Sequence, residues 1–126
     1  MAHKEIRTAD APVPGGTYSQ GIDTGDFVYT AGVGPNDPAT GVNIDGDIAA
    51  QTRQVLVNLQ AILAEAGLDF SHVVKVTTHL EHLKRDFAGY DEVYREFFTA
   101  PYPVRTTVGS DLMNILVEID VVARRP

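Results

Sequence analysis

The chain has no cysteine and no tryptophan. Without thiols it can form no disulfide, no thiolate metal site and no cysteine nucleophile, a usage that suits a reducing cytoplasm, the expected compartment. Also missing is any apolar run near the roughly 20 residues that a membrane span requires. The first residues, Met-Ala-His-Lys-Glu-Ile-Arg, hold no apolar core of an export signal. Basic residues are scarce: 10 Lys and Arg against 17 Asp and Glu leave a formal charge of −7. Nucleic-acid binders normally need a basic patch to neutralise phosphates, so neither RNA nor DNA is the expected partner. A small anion needs only one local cation and stays open as a ligand. The 126 residues are enough for one domain, spanning 1–126, with a real core.

What is present divides by its period into strand and helix. Residues 4–7 suit a short strand. Residues 9–21 hold Pro12, Pro14, Gly15, Gly16 and Gly21, too many breakers for a helix or central strand, and read as a structured loop. Tyr18 within it either plugs an apolar gap or lines a pocket with its hydroxyl. Residues 26–32 alternate as a strand, after which Gly32 and Gly34 permit a bulge or a close approach of backbone to ligand. They do not spell a dinucleotide fingerprint, since the third glycine and the following helix are absent. A turn cluster at 36–41 leads to a short returning strand at 42–44. Residues 47–66 place Ile48, Thr52, Val55, Leu56, Leu59, Ile62, Leu63 and Ala66 on one helical stripe, with Asp47 as N-cap and Gly67 as stop. Gln51, Arg53, Gln54, Asn58, Gln60 and Glu65 fall on its outer face.

Residues 71–80 form a β-branched strand, so the long helix sits in a strand–helix–strand crossover. Residues 86–98 are a second helix with Phe87, Tyr90, Val93 or Tyr94, Phe97 and Phe98 buried, ended by Pro101 and Pro103. Two helices against five to six strands predict an α+β two-layer sandwich, a mixed sheet with both helices on one face. The uncovered face is partly apolar, which predicts a homo-oligomer with pockets at subunit boundaries.

The last two strands, 103–108 and 116–123, read as an antiparallel hairpin. Alternation then turns Val104, Thr106 and Val108 to the core with Val117, Ile119, Val121 and Ala123. Arg105 and Thr107 turn to the uncovered surface with Leu116, Glu118, Asp120 and Val122. A guanidinium opposite carboxylates suits a reactive cleft, and suits equally a cross-strand ion pair worth a few tenths of a kcal/mol to ~1. Pattern alone leaves both open. His79-Leu80-Glu81-His82 contains the His-x-Glu string of zinc deaminases, but their Pro-Cys-x-x-Cys partner cannot exist here, so no metal site is expected. Serine-hydrolase elbow and phosphate loop are absent as well.

Several spaced segments occur together in order: Gly16-Thr17-Tyr18-Ser19-Gln20-Gly21, Tyr29-Thr30-Ala31-Gly32, Gln51-Thr52-Arg53-Gln54, Leu59 with Ala66-Gly67-Leu68, Val74-Lys75-Val76-Thr77, Tyr94-Arg95-Glu96-Phe97-Phe98 and Pro103-Val104-Arg105-Thr106. From about residue 6 to 123 the chain thereby resembles the reactive intermediate deaminase (RidA/YjgF) family, historically labelled endoribonuclease L-PSP. The resemblance implies a chorismate-mutase-like fold and a homotrimer with clefts between subunits. It also implies hydrolysis of enamines and imines, such as 2-aminoacrylate and 2-iminobutanoate, to 2-keto acids and ammonia with no metal or other cofactor. The family's carboxylate-binding arginine falls on Arg105, its water-orienting glutamate on Glu118 and its pocket tyrosine on Tyr18. The backbone of its Ser-Gly loop falls on Ala31 and Gly32, and a further backbone N–H on Thr107, where the archetype has cysteine. Asp91 stands where an asparagine is common and Asp120 shares the strand face of Glu118, which makes both further candidates. The loop Thr30-Ala31-Gly32-Val33-Gly34-Pro35 lacks two polar side chains of the archetype. A trimer that binds a small carboxylate or keto acid without turning it over is the alternative. Ribonuclease action, suggested by the old label, is disfavoured by the acidic composition and the lack of a catalytic histidine pair.

Overall fold

Asp47 accepts the N–H of Ala50 at 2.9 Å and so opens helix α1 (Ile48–Glu65) where expected. At the other end Gly67 takes φ +77°, and the N–H of Leu68 returns to the carbonyl of Leu63 at 2.9 Å. The stripe between these caps (Val55, Leu56, Leu59, Ile62 and Leu63) is buried, and lies against the strands in a single core. The computed structural model describes residues 3–126; residues 1 and 2, part of the segment read for an export signal, lie outside it.

The remaining elements are β1 (Lys4–Ile6), β2 (Gly21–Asp23), β3 (Phe27–Thr30), β4 (Asn36–Asp37), β5 (Val42–Asn43), β6 (Val73–Leu80) after a 3-10 turn at Phe70–His72, α2 (Leu83–Tyr94), β7 (Val104–Gly109) and β8 (Val117–Arg124). Six of the strands form one mixed sheet in the order β1-β2-β3-β8-β6-β7, and β4 with β5 make a separate ribbon. Only β6 and β7 are parallel. Both helices cover one face, so the α+β class and the strand count agree with expectation. Among the described residues no helix is long and apolar enough to cross a membrane.

The predicted hairpin does not exist. β7 pairs with β6, joined through α2 as a parallel crossover, while β8 enters the middle of the sheet between β3 and β6. The cause lies in β8, whose Val117, Ile119, Val121 and Ala123 are all buried. A strand with so complete an apolar face belongs in the centre, whereas β7 is the outer strand and leaves Val104 two-thirds exposed. With the partner changed, the face assignment of β7 inverts. Arg105 pairs with Val76 and Thr107 with Thr78, both fully buried, so their side chains share the helix-covered face. Val104, Thr106 and Val108 take the uncovered face with Glu118, Asp120 and Val122.

Other differences are smaller. Helix α2 begins and ends earlier than predicted, since Leu83, Lys84 and Arg85 are good helix formers and Asp86 suits a first turn. Phe97 and Phe98 lie in the turn after it, where Phe98 stacks on Tyr94 at 4.3 Å. Strand β2 was not anticipated, and Asn36 and Asp37 pair rather than only turn. Gln51 and Asn58, expected on the outer face of α1, are buried. Gln51 accepts the N–H of Leu116, ahead of β8, at 2.9 Å. The amide of Asn58 donates to the carbonyls of Gly34 at 3.1 Å and Asn36 at 2.7 Å, tying the loop after β3 to the helix. Removing that amide strands two carbonyls, so Asn58→Ala is expected to destabilise the fold by about 2–3 kcal/mol in urea unfolding. A change below about 0.5 kcal/mol would show that water satisfies both carbonyls.

Candidate functional site

Arg105 reaches from β7 under α2. Phe87, Tyr90 and Tyr94, spaced three and four residues apart on that helix, surround its guanidinium with ring centroids at 5.5, 5.5 and 4.5 Å from the central carbon. Such faces attract a cation by about 0.5–2 kcal/mol, more as water is excluded. Asp91 accepts from Nη1 of Arg105 at 2.7 Å, and its second oxygen accepts from Arg95 at 2.8 Å. Beyond the Asp91 bond the guanidinium makes no hydrogen bond of good geometry to the described residues, so its Nε and Nη2 edge is open to a ligand, with the Tyr90 and Tyr94 hydroxyls standing close by. The arginine side chain is 23% exposed, within a cleft of about 490 Å³ shared with Asp91, Tyr94, Arg95, Tyr102 and Pro103.

The electrostatics follow from that packing. Burial would raise the Asp91 carboxyl, but the hydrogen bonds from Arg105 and Arg95 outweigh it and hold the group below the usual aspartate range. Burial is the largest influence on Arg105 and would lower it, but the Asp91 hydrogen bond together with the electrostatic pull of Tyr90, Asp91 and Tyr94 outweighs that and raises it. Burial pushes both tyrosine phenols up, Tyr94 beyond the usual range. The Tyr90 hydroxyl shares a hydrogen bond of 2.6 Å with Thr78, and Thr107 stands beside the same hydroxyl from β7. The Tyr94 hydroxyl is buried with no partner among the described residues.

Glu118 lies on the opposite face, and its carboxylate leans over Gly32. A Cβ at position 32 would sit 2.7 Å from Oε2, so only glycine allows this approach. The ladder opens here. Between the pairs Tyr29–Val122 and Val33–Ile119, the first chain segment inserts Thr30, Ala31 and Gly32 against Val121 and Asp120. Thr30 Oγ1 fills the gap by accepting the N–H of Val121 at 3.0 Å. The N–H of Ala31 goes to Gln20 and that of Val33 to Ile119. The N–H of Gly32 and the Glu118 carboxylate meet no partner among the described residues.

A cleft of about 250 Å³ adjoins them, lined also by Tyr18, Ala31, Val33 and Asn36. Tyr18 neither plugs the core nor points into it. It is 54% exposed and accepts the N–H of Gly15 at 3.1 Å, forming the rim. The loop that carries it hangs on Gln20, which is buried. Its amide donates to the carbonyls of Thr8, Ala11 and Pro12, and its oxygen accepts the N–H of Thr8. Neither Gln20 nor Asn58 was singled out from sequence. A polar amide inside a Pro/Gly-rich loop, and another among helix residues facing such a loop, were the signals available. Asp120 shares the Glu118 face, where burial raises its carboxyl against the opposing pull of His79 and Lys75. His79 is engaged through Nδ1 with Ser110 at 2.7 Å.

The structure thus corrects the expectation of one polar surface. Glu118, Gly32, Ala31 and Tyr18 come together on one side of the chain. Arg105, Thr107 and Asp91 come together on the other, and the sheet stands between the two groups. Because the Asp91 carboxyl is depressed, its stabilisation is complete above 3.8, the ordinary aspartate value, and is lost as pH falls through the depressed one. Asp91→Asn is expected to cost about 1–2 kcal/mol at pH 7, and progressively less below pH 3.8, in urea unfolding followed by circular dichroism. A cost that stays constant down to about pH 2.5 would exclude the ion pair as its source.

Known proteins share this outline. Residues 8–125 match the model of the endoribonuclease L-PSP family. A RutC family protein of Pyrococcus abyssi is 44% identical over 125 residues, with 98% of each chain covered. The 2-iminobutanoate/2-iminopropanoate deaminase of Escherichia coli is 39% identical over 127 residues, covering 97% of this chain and 98% of that one. The crystal structure of Escherichia coli TdcF with bound serine superposes with a TM-score of 0.91 at 38% identity, over 98% of this chain and 99% of the other.

Proposed function

The chain belongs to the endoribonuclease L-PSP family, the RidA/YjgF proteins, and on that premise we propose that it hydrolyses small 2-imino acids in a site shared by two copies of itself. The observation that carries this reading is the separation of Arg105 from Glu118 by the sheet, with each left incomplete. The arginine keeps one free edge, and the glutamate and the Gly32 N–H have no partners among the described residues. A neighbouring copy that turns its β7 edge toward the Glu118 cleft completes both. Such a contact joins two different patches, and head-to-tail contacts of that kind form a closed ring where the rotation between copies closes; the ring of three that the family resemblance implies would use every half-site once. The uncovered sheet face supplies apolar surface for the contact, with Tyr29, Val104 and Val108 all exposed.

In this assembly the Nε and Nη2 edge of Arg105 takes the substrate carboxylate in two parallel bonds, worth roughly 1.5–3 kcal/mol when desolvated. The N–H of Gly32 or Thr107 shares that carboxylate. Glu118 accepts a proton from a water as its oxygen bonds to the carbon of the protonated imine, giving a carbinolamine. Glu118 hands that proton to nitrogen, and as the C–N bond breaks it takes up the hydroxyl proton, so that ammonia and the 2-keto acid leave. An enamine enters the same path after taking a proton on carbon. General-base assistance of this kind contributes ~10²–10⁴-fold, and placement of the water counts alongside basicity. Tyr18 closes the rim, and Asp120 shares the strand face of Glu118.

The alternative, a module that binds small carboxylates without turnover, draws support from the serine in TdcF and from the pairing of Arg105 with Asp91. Thermal stabilisation by 2-keto acids, without acceleration of oxidase-generated imines over their free hydrolysis, would select it.

The decisive experiment mixes two inactive variants. Arg105→Ala should abolish keto-acid release with the oligomer intact, and Arg105→Lys should recover little because the planar fork is lost. Glu118→Gln should lose ~10²–10⁴-fold in kcat. Refolded together at equal amounts, the two should regain about a quarter of wild-type activity, since random ring assembly restores an intact Arg–Glu pairing at one boundary in four. Mixtures that stay inactive, although mass spectrometry shows mixed oligomers, would place the site within one chain.

A further inference from the structure

We propose that Asp91 makes the Arg105 cleft prefer ligands carrying a positive nitrogen beside their carboxylate over bare carboxylates of the same skeleton. The proposal rests on Arg105 being the carboxylate anchor. Asp91 holds Nη1 at 2.7 Å and leaves the Nε and Nη2 edge free, so a carboxylate docked on that edge lies beside a fixed negative charge. Phe87, Tyr90 and Tyr94 pack around the guanidinium and thin the water that would otherwise screen the two anions from each other. Arg95 offsets this only in part. It is bonded to the second oxygen of Asp91, and its side chain is 67% exposed and therefore well solvated.

Two guanidiniums and one carboxylate leave the cleft a net single positive charge, enough to bind an anion but less than two cations would offer. An ammonium or protonated imine nitrogen next to the ligand carboxylate offsets the repulsion from Asp91, which a bare carboxylate meets in full. The consequence for turnover is directional. The protonated imine is the form that water attacks most readily, and it is the zwitterion that Asp91 favours. The product 2-keto acid keeps the carboxylate and loses the positive nitrogen, so the same aspartate weakens its hold. Asp91 is then a specificity-determining residue that separates reactive substrate from product.

Asparagine at this position would still accept from Nη1 but would carry no charge, which makes Asp91→Asn the informative change. Titration calorimetry with 2-oxobutanoate and 2-aminobutanoate, a bare carboxylate and a zwitterion on one carbon skeleton, reads the effect without a labile imine. Asp91→Asn should tighten 2-oxobutanoate about tenfold, equivalent to ~1.4 kcal/mol, while 2-aminobutanoate is unchanged or weaker. Product inhibition of turnover by 2-oxobutanoate should rise by the same factor. Asp91→Ser, which lacks the side-chain carbonyl, should give the same split between ligands if charge is the cause. Equal shifts for both ligands, or none, would reduce Asp91 to a support for Arg105 and overturn the proposal. Failure of the anchor itself shows elsewhere, as wild type binding neither ligand or Arg105→Ala binding both undiminished, and that outcome overturns the proposal together with the reading beneath it.

Discussion

Strand β8 holds the molecule together. Its buried face, Val117 through Ala123 at every second residue, meets α1 and the neighbouring strands, and its two edges pair with β3 and β6. Burial of four such side chains stabilises by roughly 1–3 kcal/mol each for the larger ones, so the strand cannot be moved to an edge without losing much of the net stability of a small domain. Because side chains alternate, the same strand delivers Glu118 and Asp120 to the uncovered face. The Glu118 cleft is therefore a by-product of the strongest packing in the fold, and its acid rests on a rigid element.

Arg105 is held by a different balance. Its guanidinium gives up water on the helix-covered face, and what offsets that loss is local: three aromatic rings from α2 and one carboxylate. All four partners come from one helix surface, so the orientation of α2 against β7 sets the direction of the fork. That arrangement leaves a free edge at the margin of the sheet, where β7 has no further strand beside it. The Glu118 side shows the complementary logic. Thr30, Gln20 and Asn58 satisfy the backbone around the opened ladder and leave the Gly32 N–H unclaimed, with glycine required for the carboxylate to approach. Two half-sites on opposite faces of one sheet suit an assembly in which copies meet patch to unlike patch.

Much of this was legible in the chain itself. The stripe and caps of α1 follow from spacing and from Asp47 and Gly67, and the family was identifiable from segments spread across almost the whole length. Arg105, Glu118, Gly32 and Tyr18 were all named from the residues, and each lies beside a cleft. The alternation of residues 117–123 was read correctly as a core face. The same alternation in β7 misled, because Val104 and Val108 look like core residues and are not. Period two tells which residues share a face, but not which face an outer strand turns to the core.

Local chemistry along the chain determined the helices, their ends, the break at Gly32 and the inventory of charged groups, since these depend on neighbours a few residues away. Only the tertiary structure decided that β8 separates β3 from β6 and that Arg105 lies under α2 against Asp91. It alone put the acid and the cation on opposite sides of the sheet. Strand order and facing depend on which distant surfaces bury the most apolar area together, a comparison among whole arrangements that no short window of residues contains.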